Sequence, residues 1–384
     1  MHILIITRHY PPEISGGARR PFLYVKALRQ LGHKVTIVTP FKLDDENSIT
    51  VFNRAINRSM EPKKTQNLFN VFINKFKNYF RTLLYWPDPN ITWAHSVIKT
   101  LKKRKITADW VFTTSPPESL HIVGKKISTF HNIPWVAEFR DTWIENPHRA
   151  ILKHSILRRF FERIIAHKTL KKASAVTAVS EKMITEARKY MKPKTPECII
   201  SHFSDKIDEN INHIFKFDQR KINLVHSGAM TLSDHRRTLG PLLKEIEKAH
   251  KLRPEITLHI AGRLSENELK IIKKSSVPVI AHGPISLDNS RIMQTIADAL
   301  LIYTPYNSPT LPGKYAEYIM AERPILYLGN GWLHLVKDRN NLKPLVPGLL
   351  NLKKGDRVYH DFELDDKIAA KQLVEFLNSI IKSK

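Results

Sequence analysis

The stretch MHILIITRHYPPEISGGARRPFLYVKALRQLGHKVTIVT, Met1 to Thr39, decides the fold class. An apolar, β-branched run from Ile3 to Ile6 reads as a buried strand. A Pro/Gly loop follows, then a helical repeat (Phe22, Val25, Leu28, Leu31), a stop at Gly32 and a second buried strand, Val35 to Val38. Pro21 is expected in the first turn of that helix, where its missing N–H is harmless, and Gly32 at a left-handed C-terminus. This is one βαβ unit. The loop Pro11 to Gly17 is then expected at the carboxyl edge of a parallel sheet, where open α/β folds bind ligands.

Working outward, 384 residues suggest two domains of ordinary size, and 42% apolar residues suffice to fill both. The one cysteine, Cys198, excludes a disulfide framework and fits a reducing compartment. No segment has a basic start followed by a long apolar core, and no apolar run approaches the roughly eighteen residues of a membrane span. The expectation is a cytoplasmic protein, peripheral on the inner face of the cell membrane. A net charge of +26 predicts attraction to polyanions. Zinc-finger spacing, RNA-binding aromatic signatures and a basic zipper are all missing, so nucleic acid is not the expected partner.

After the second strand, residues 42 to 65 are polar and aperiodic and read as a surface insertion. In residues 68 to 84 a helical wheel places Leu68, Phe69, Phe72, Ile73, Phe76, Tyr79, Phe80, Leu83 and Leu84 on one half and basic and amide side chains on the other; only Val71 breaks the pattern. This pattern describes an interfacial amphipathic helix facing an anionic membrane, or equally a core-packed helix with a solvated basic face. Strands recur at Trp110 to Thr114, Trp135 to Phe139, Ala175 to Val179 and Glu197 to Ile200, between helical segments such as His121 to Thr129 and Ile151 to Lys172. The latter reads as a core helix with snorkelling lysines and arginines. Ser201 to Asn212 reads as a boundary. From Ile222 the alternation restarts, with strands near residues 222, 256 and 277, at Ala299 to Tyr303 and near 324, and helices between them, one of them Ser290 to Ala297. The final helix, Asp366 to Ile381, is expected to dock on the first domain. The chain is thus expected to be α/β, with two doubly wound Rossmann-like domains, 1–205 and 206–365, facing a cleft.

Gly16-Gly17 is not the spaced three-glycine fingerprint of dinucleotide-binding proteins, and the second strand ends in Thr39-Pro40-Phe41 rather than in an acidic residue for a ribose. No Walker lysine follows. The glycine pair precedes a helix N-terminus, whose amides favour an anion.

The segments ILIITRHYPPEISGGARR, DWVFTTSPPESLH, PWVAEFRDTW, AVTAVSEKM, LVHSGAM and LPGKYAEYIMAERPIL, in this order over nearly the whole chain, resemble glycosyltransferase family 4. The resemblance implies a GT-B fold with the nucleotide-sugar held mainly by the C-terminal domain and the acceptor mainly by the N-terminal one. It also implies transfer with retention, no metal and no cofactor beyond the nucleotide-sugar co-substrate. Cationic side chains and helix N-termini then have to stabilise the departing diphosphate.

On this basis the donor candidates are Gly16, Gly17, Gly228, Arg236, Arg237, Gly262, Lys314 and Glu317. Arg236 and Arg237 follow the strand ending HSG, where the family presents a basic residue to the diphosphate. Lys314 and Glu317, three apart, share the first turn of a helix. Glu317 matches the second glutamate of the family's pair, which holds the ribose, while Pro309 stands in place of the first. Gly228 and Gly262 permit close backbone approach or serve as turn glycines. On the acceptor side, Glu138, Arg140 and Asp141 are the candidate catalytic residues, either Asp141 or Glu138 bonding sugar hydroxyls while Arg140 positions a phosphate; an internal ion pair is the alternative. Arg19 and Arg20 are candidates for the acceptor's phosphate or the donor's, with surface arginines as the alternative, and Ser115 for the acceptor or a helix cap.

The sequence reading is therefore a nucleotide-sugar-dependent glycosyltransferase acting on a lipid-linked or lipopolysaccharide- or capsule-type glycan. A nucleotide-sugar epimerase or phosphorylase of the same fold, or a non-enzymatic polyanion binder, are its rivals.

Overall fold

In the computed structural model, strand β1 (His2–Ile6) is central to a parallel sheet and buries Ile3, Leu4, Ile5 and Ile6 almost completely. Each such side chain contributes about 1.5–3 kcal/mol by leaving water. The structure describes all residues except 14, 54–84, 147–154, 206–215, 308–310, 337–338, 340–341, 360–363 and 383–384. It divides into two units, one of Met1–Ser201 with Asp366–Lys384, the other of His202–Asp365.

In the first unit β1 is followed by α1 (Gly16–Gln30), β2 (Lys34–Thr39) and β3 (Ser48–Thr50). Then come α2 (Ile91–Lys102), β4 (Trp110–Ser115), α3 (Ser119–His131), β5 (Trp135–Phe139), α4 (Ile156–Leu170), β6 (Ala175–Ala178), α5 (Glu181–Arg188) and β7 (Glu197–Ile199). Among the described residues the strands order as β3-β2-β1-β4-β5-β6-β7, all parallel. The order reverses between β1 and β4, which makes their carboxyl ends the switch point where such sheets bind ligands.

The second unit repeats this plan. Its elements are β8 (Ile222–Ser227), α6 (Leu239–His250), β9 (Ile256–Ala261), α7 (Glu266–Lys273), β10 (Val279–Gly283), α8 (Leu287–Ile296), β11 (Ala299–Tyr303), α9 (Gly313–Met320), β12 (Ile325–Leu328), β13 (Leu342–Pro344) and α10 (Leu345–Asn351). The sheet is parallel in the order β10-β9-β8-β11-β12-β13, with its switch between β8 and β11. The closing helix, α11 (Asp366–Lys382), packs against α1 in the first unit.

Four local readings change. Helix α1 begins at Gly16, so Pro21 lies inside it rather than in its first turn. Its end is as expected: Gly32 is left-handed (φ 80°), and the N–H groups of Gly32 and His33 bond the carbonyls of Arg29 and Leu28, a Schellman end. The polar stretch after β2 contains β3, an edge strand whose single buried side chain, Ile49, makes no pattern visible in sequence. Helix α8 starts three residues early because the Ser286 hydroxyl caps the amide of Asn289. Helix α4 is not a core helix with snorkelling cations. It buries Arg158 and Glu162 and exposes Ile156, Leu157, Phe160 and Phe161. The amphipathic stretch 68–84 lies outside the described residues.

Candidate functional site

In the first unit, the missing N–H of Pro21 leaves the carbonyl of Gly17, four residues earlier, without its helical donor. Arg140, just beyond β5, replaces it: Nη1 donates to Gly17 O at 2.6 Å. Its Nη2 donates to Pro116 O at 2.7 Å and its Nε to Ser115 O at 3.1 Å. One guanidinium therefore ties together the start of α1, the end of β4 and the end of β5. All three guanidinium nitrogens of Arg140 thus serve backbone carbonyls.

Arg20 and Glu138 likewise form a buried pair, Nε to Oε1 at 2.9 Å. Arg20 also donates to Tyr24 Oη (3.0 Å) and to the carbonyls of Ile200 (2.8 Å) and Ser201 (2.7 Å). Burial would lower the guanidinium's pKa, but Glu138 and then Tyr24 more than offset it, so Arg20 stays charged. Arg20 and Glu138 thus hold the last strand's exit against α1. Arg19 is buried too, contrary to a surface reading, and the Ser115 hydroxyl donates to Glu138 O at 3.3 Å. Asp141 is half-buried beside Arg140.

Gly16 and Gly17 form the first turn of α1; a Cβ on Gly17 would come within 3.2 Å of the His9 ring, whereas Gly16 faces open space. The Ser15 hydroxyl, at the N-cap, makes no capping bond.

The second unit brings five donor candidates together. Gly228 follows β8 with φ 119°, and a Cβ there would meet Lys314 Cε at 2.5 Å and Nζ at 2.9 Å. Gly262 follows β9 with no room for a Cβ, which would sit 2.3 Å from the carbonyl carbon of Gly228. Gly262 is therefore required by the close approach of backbone, and Gly228 by its left-handed φ, since the end of the Lys314 side chain can move aside. Lys314 Nζ lies 3.4 Å from Ser227 Oγ, in the first turn of α9, whose N-terminus has no side-chain cap. Glu317 Oε2, on the same helix, accepts from Gln294 Nε2 at 3.2 Å, and that nitrogen also lies 2.9 Å from Ser227 Oγ.

The residues that bind this cluster were not legible in sequence. His226 Nδ1 faces the carbonyl of Leu301 at 2.9 Å, which requires Nδ1–H and leaves Nε2 as a buried acceptor with no hydrogen-bond partner. Burial first, then the charges of Lys314 and Arg237, push its pKa down to about 3, so the ring is neutral. Tyr318 Oη accepts from the Ser227 amide at 3.0 Å, and burial raises its pKa above the ordinary range. Gln294 sits one helix away, without any motif to signal it.

Arg236 and Arg237 separate clearly. Arg236 bonds both oxygens of Asp234, at 3.0 and 2.7 Å, and stacks on Tyr306 with 3.6 Å from Cζ to the ring centre. Asp234 is accordingly held well below the usual carboxylate range. The Arg237 charge instead acts on His226 and Tyr318, and its buried Nε has no hydrogen-bond partner.

The family model for Glycosyltransferase Family 4 matches residues 14–205, half of the sequence. The chain belongs to Glycosyltransferase Family 4. Among curated proteins none matches it. Solved structures share its fold along essentially the full length. The Anabaena protein Alr3699/HepE in complex with UDP and glucose is 14% identical, with coverage of 100% of this chain and 99% of that one and a TM-score of 0.55. A lipopolysaccharide outer core galactosyltransferase, WaaB, in its apo form is 12% identical, with 99% of both chains covered and a TM-score of 0.51. A putative UDP-N-acetylglucosamine 2-epimerase from Listeria monocytogenes is 10% identical, covering 100% of this chain and 97% of that one, with a TM-score of 0.55. The fold is that of GT-B glycosyltransferases, two parallel α/β sheets with helices, and the family makes the chain a glycosyltransferase-type enzyme.

Proposed function

We propose that this enzyme transfers a hexosyl group from a nucleotide-sugar to a lipid-linked or lipopolysaccharide- or capsule-type glycan, with retention and without a metal. The reading rests on the meeting of Gly228, Gly262, Lys314, Glu317 and Arg237 at the carboxyl edge of the second sheet. A flat backbone platform, a cationic helix start and a carboxylate three residues on suit a diphosphate followed by a ribose. Arg237 is assigned to the diphosphate, since Arg236 is already paired with Asp234. Lys314 and the first amides of α9 take the phosphate charge that develops as the sugar departs. Glu317, held by Gln294, accepts from ribose hydroxyls.

In the first unit Asp141, just beyond β5, is assigned to acceptor hydroxyls. A retaining route needs no strong base, because the leaving phosphate can take the acceptor's proton. The acceptor places the enzyme at the inner face of the cell membrane, in the synthesis of a surface polysaccharide.

The test is to incubate the protein with UDP-, GDP- and ADP-sugars, with and without membrane extract, and to follow nucleotide release. Release with an acceptor, unchanged by EDTA and abolished in Glu317→Ala, is expected. No binding of any donor, or an unaffected Glu317→Ala variant beside active wild type, refutes the site. An epimerase would convert the donor with no acceptor present, so product analysis separates that alternative.

A further inference from the structure

Helix α4 is built inside out. On its buried side Arg158 Nε donates to Glu162 Oε1 at 2.9 Å, and Glu162 Oε2 accepts from Trp143 Nε1 at 2.8 Å. On its solvent side Ile156, Leu157, Phe160 and Phe161 are 88, 67, 56 and 42% exposed. These positions, i, i+1, i+4 and i+5, line one face. A helix bordering water has the reverse pattern, and a contiguous group of large exposed apolar side chains marks a contact surface.

Two observations say what it contacts. The first is charge. Glu162, internally paired, is the one acidic residue of α4, whereas Arg159, Arg163 and Lys168 lie on the helix and Lys171 and Lys172 follow it. A second copy would bring the same basic helix and a net charge of +26 against itself. An anionic bilayer supplies both apolar depth and negative headgroups. The second is continuity. Arg158 Nη2 donates to the carbonyls of Tyr85 (3.2 Å) and Pro87 (2.8 Å), and Trp86 meets the Phe161 ring edge-on at 5.4 Å between centroids. Residues 85–87 therefore lie against this helix, and Trp86 among them is of a type favoured at membrane interfaces.

We propose that the exposed face of α4 seats the enzyme on an anionic lipid bilayer. Phe160, Phe161, Ile156 and Leu157 enter the boundary between headgroups and acyl chains, and Arg159 and Arg163 meet lipid phosphates. This deepens the lipid-linked acceptor reading and rests on it, but it is measured apart from sugar transfer.

The experiment is sedimentation of the full chain with phosphatidylcholine vesicles, with or without phosphatidylglycerol, at low and high salt. Wild type is expected to sediment with the phosphatidylglycerol vesicles and to be released by salt. The double variant Phe160→Asp/Phe161→Asp is expected to lose on the order of a hundredfold in vesicle affinity, about tenfold per buried phenylalanine. Its circular dichroism and donor binding should stay those of wild type. Arg163→Glu, an exposed change, is expected to weaken binding by several-fold and to flatten its salt dependence, independently of the aromatic variant.

Vesicle binding that survives both variants overturns the proposal, since the seat would then lie elsewhere, the 68–84 stretch included. So does light scattering that shows a wild-type dimer which the aspartate variant dissociates. Loss of vesicle binding with intact nucleotide release supports the surface alone; loss of nucleotide release with intact vesicle binding refutes only the donor site.

Discussion

Replacing Arg140 tests whether a side chain substitutes for a helical hydrogen bond that proline removes. Arg140→Met keeps the stem and deletes three bonds to the carbonyls of Gly17, Pro116 and Ser115. Hydrogen bonds from a charged donor contribute about 1.5–3 kcal/mol each, but Ser115 O keeps the Arg140 amide at 3.1 Å and water reaches this half-buried edge, so a total near 3 kcal/mol is expected. In Pro21→Ala, the new amide can donate to Gly17 O within the helix. Arg140→Met should then cost about 1 kcal/mol less than it does with Pro21 present. Urea unfolding followed by tryptophan fluorescence reads this cycle, since five of the six tryptophans (Trp86, Trp93, Trp110, Trp135, Trp143) are in the first unit and only Trp332 is in the second. Equal costs in the two backgrounds, within about 0.5 kcal/mol, would refute the substitution of one donor for the other.

Three further outcomes follow from the same contacts. Gly228→Ala places a Cβ against Lys314 at a left-handed φ, and should weaken nucleotide binding at least tenfold while costing about 1–3 kcal/mol, measured by calorimetric titration and thermal melts. Breaking the buried pair with Arg20→Met should cost about 3–5 kcal/mol because the buried Glu138 loses its cationic partner, whereas Arg20→Met with Glu138→Leu should recover much of that loss. His121, packed against Phe139 and bonded to Thr113 Oγ1 at 2.9 Å, has its pKa pushed down to about 3 by burial. The unfolded chain therefore binds a proton that the native ring refuses between about pH 6.5 and 3, so stability falls with acidification across that window. His121→Phe should flatten that limb by up to about 1.4 kcal/mol per pH unit in acid titrations of urea midpoints, and an unchanged slope would assign it to other groups.

Much of the architecture was legible because burial on both faces writes parallel strands as unbroken apolar runs. Trp135 to Phe139 and Ala299 to Tyr303 are read to the residue for that reason. Edge strand β3 was not, since only Ile49 is buried, and neither was β13, whose three residues include a lysine and a proline. In the candidate donor site, Gly228, Gly262, Lys314 and Glu317 stood out by type and position, but Gln294, His226 and Tyr318 looked like ordinary helix and strand residues. They act only through distances between segments tens of residues apart.

The sequence by itself determined the two βαβ series, their glycine and proline punctuation, the basic charge and the family, because these depend on residue type and near-neighbour spacing. Tertiary structure alone decided what the charged residues do. It paired Arg20 with Glu138 across 118 positions, set Arg140 on the carbonyl that Pro21 leaves open, and separated Arg237 from its neighbour by giving Arg236 to Asp234. It also turned α4 so that its ion pair faces inward and its phenylalanines outward. A buried charge takes whichever partner the fold brings within about 3 Å, and spacing along the chain carries no record of that choice.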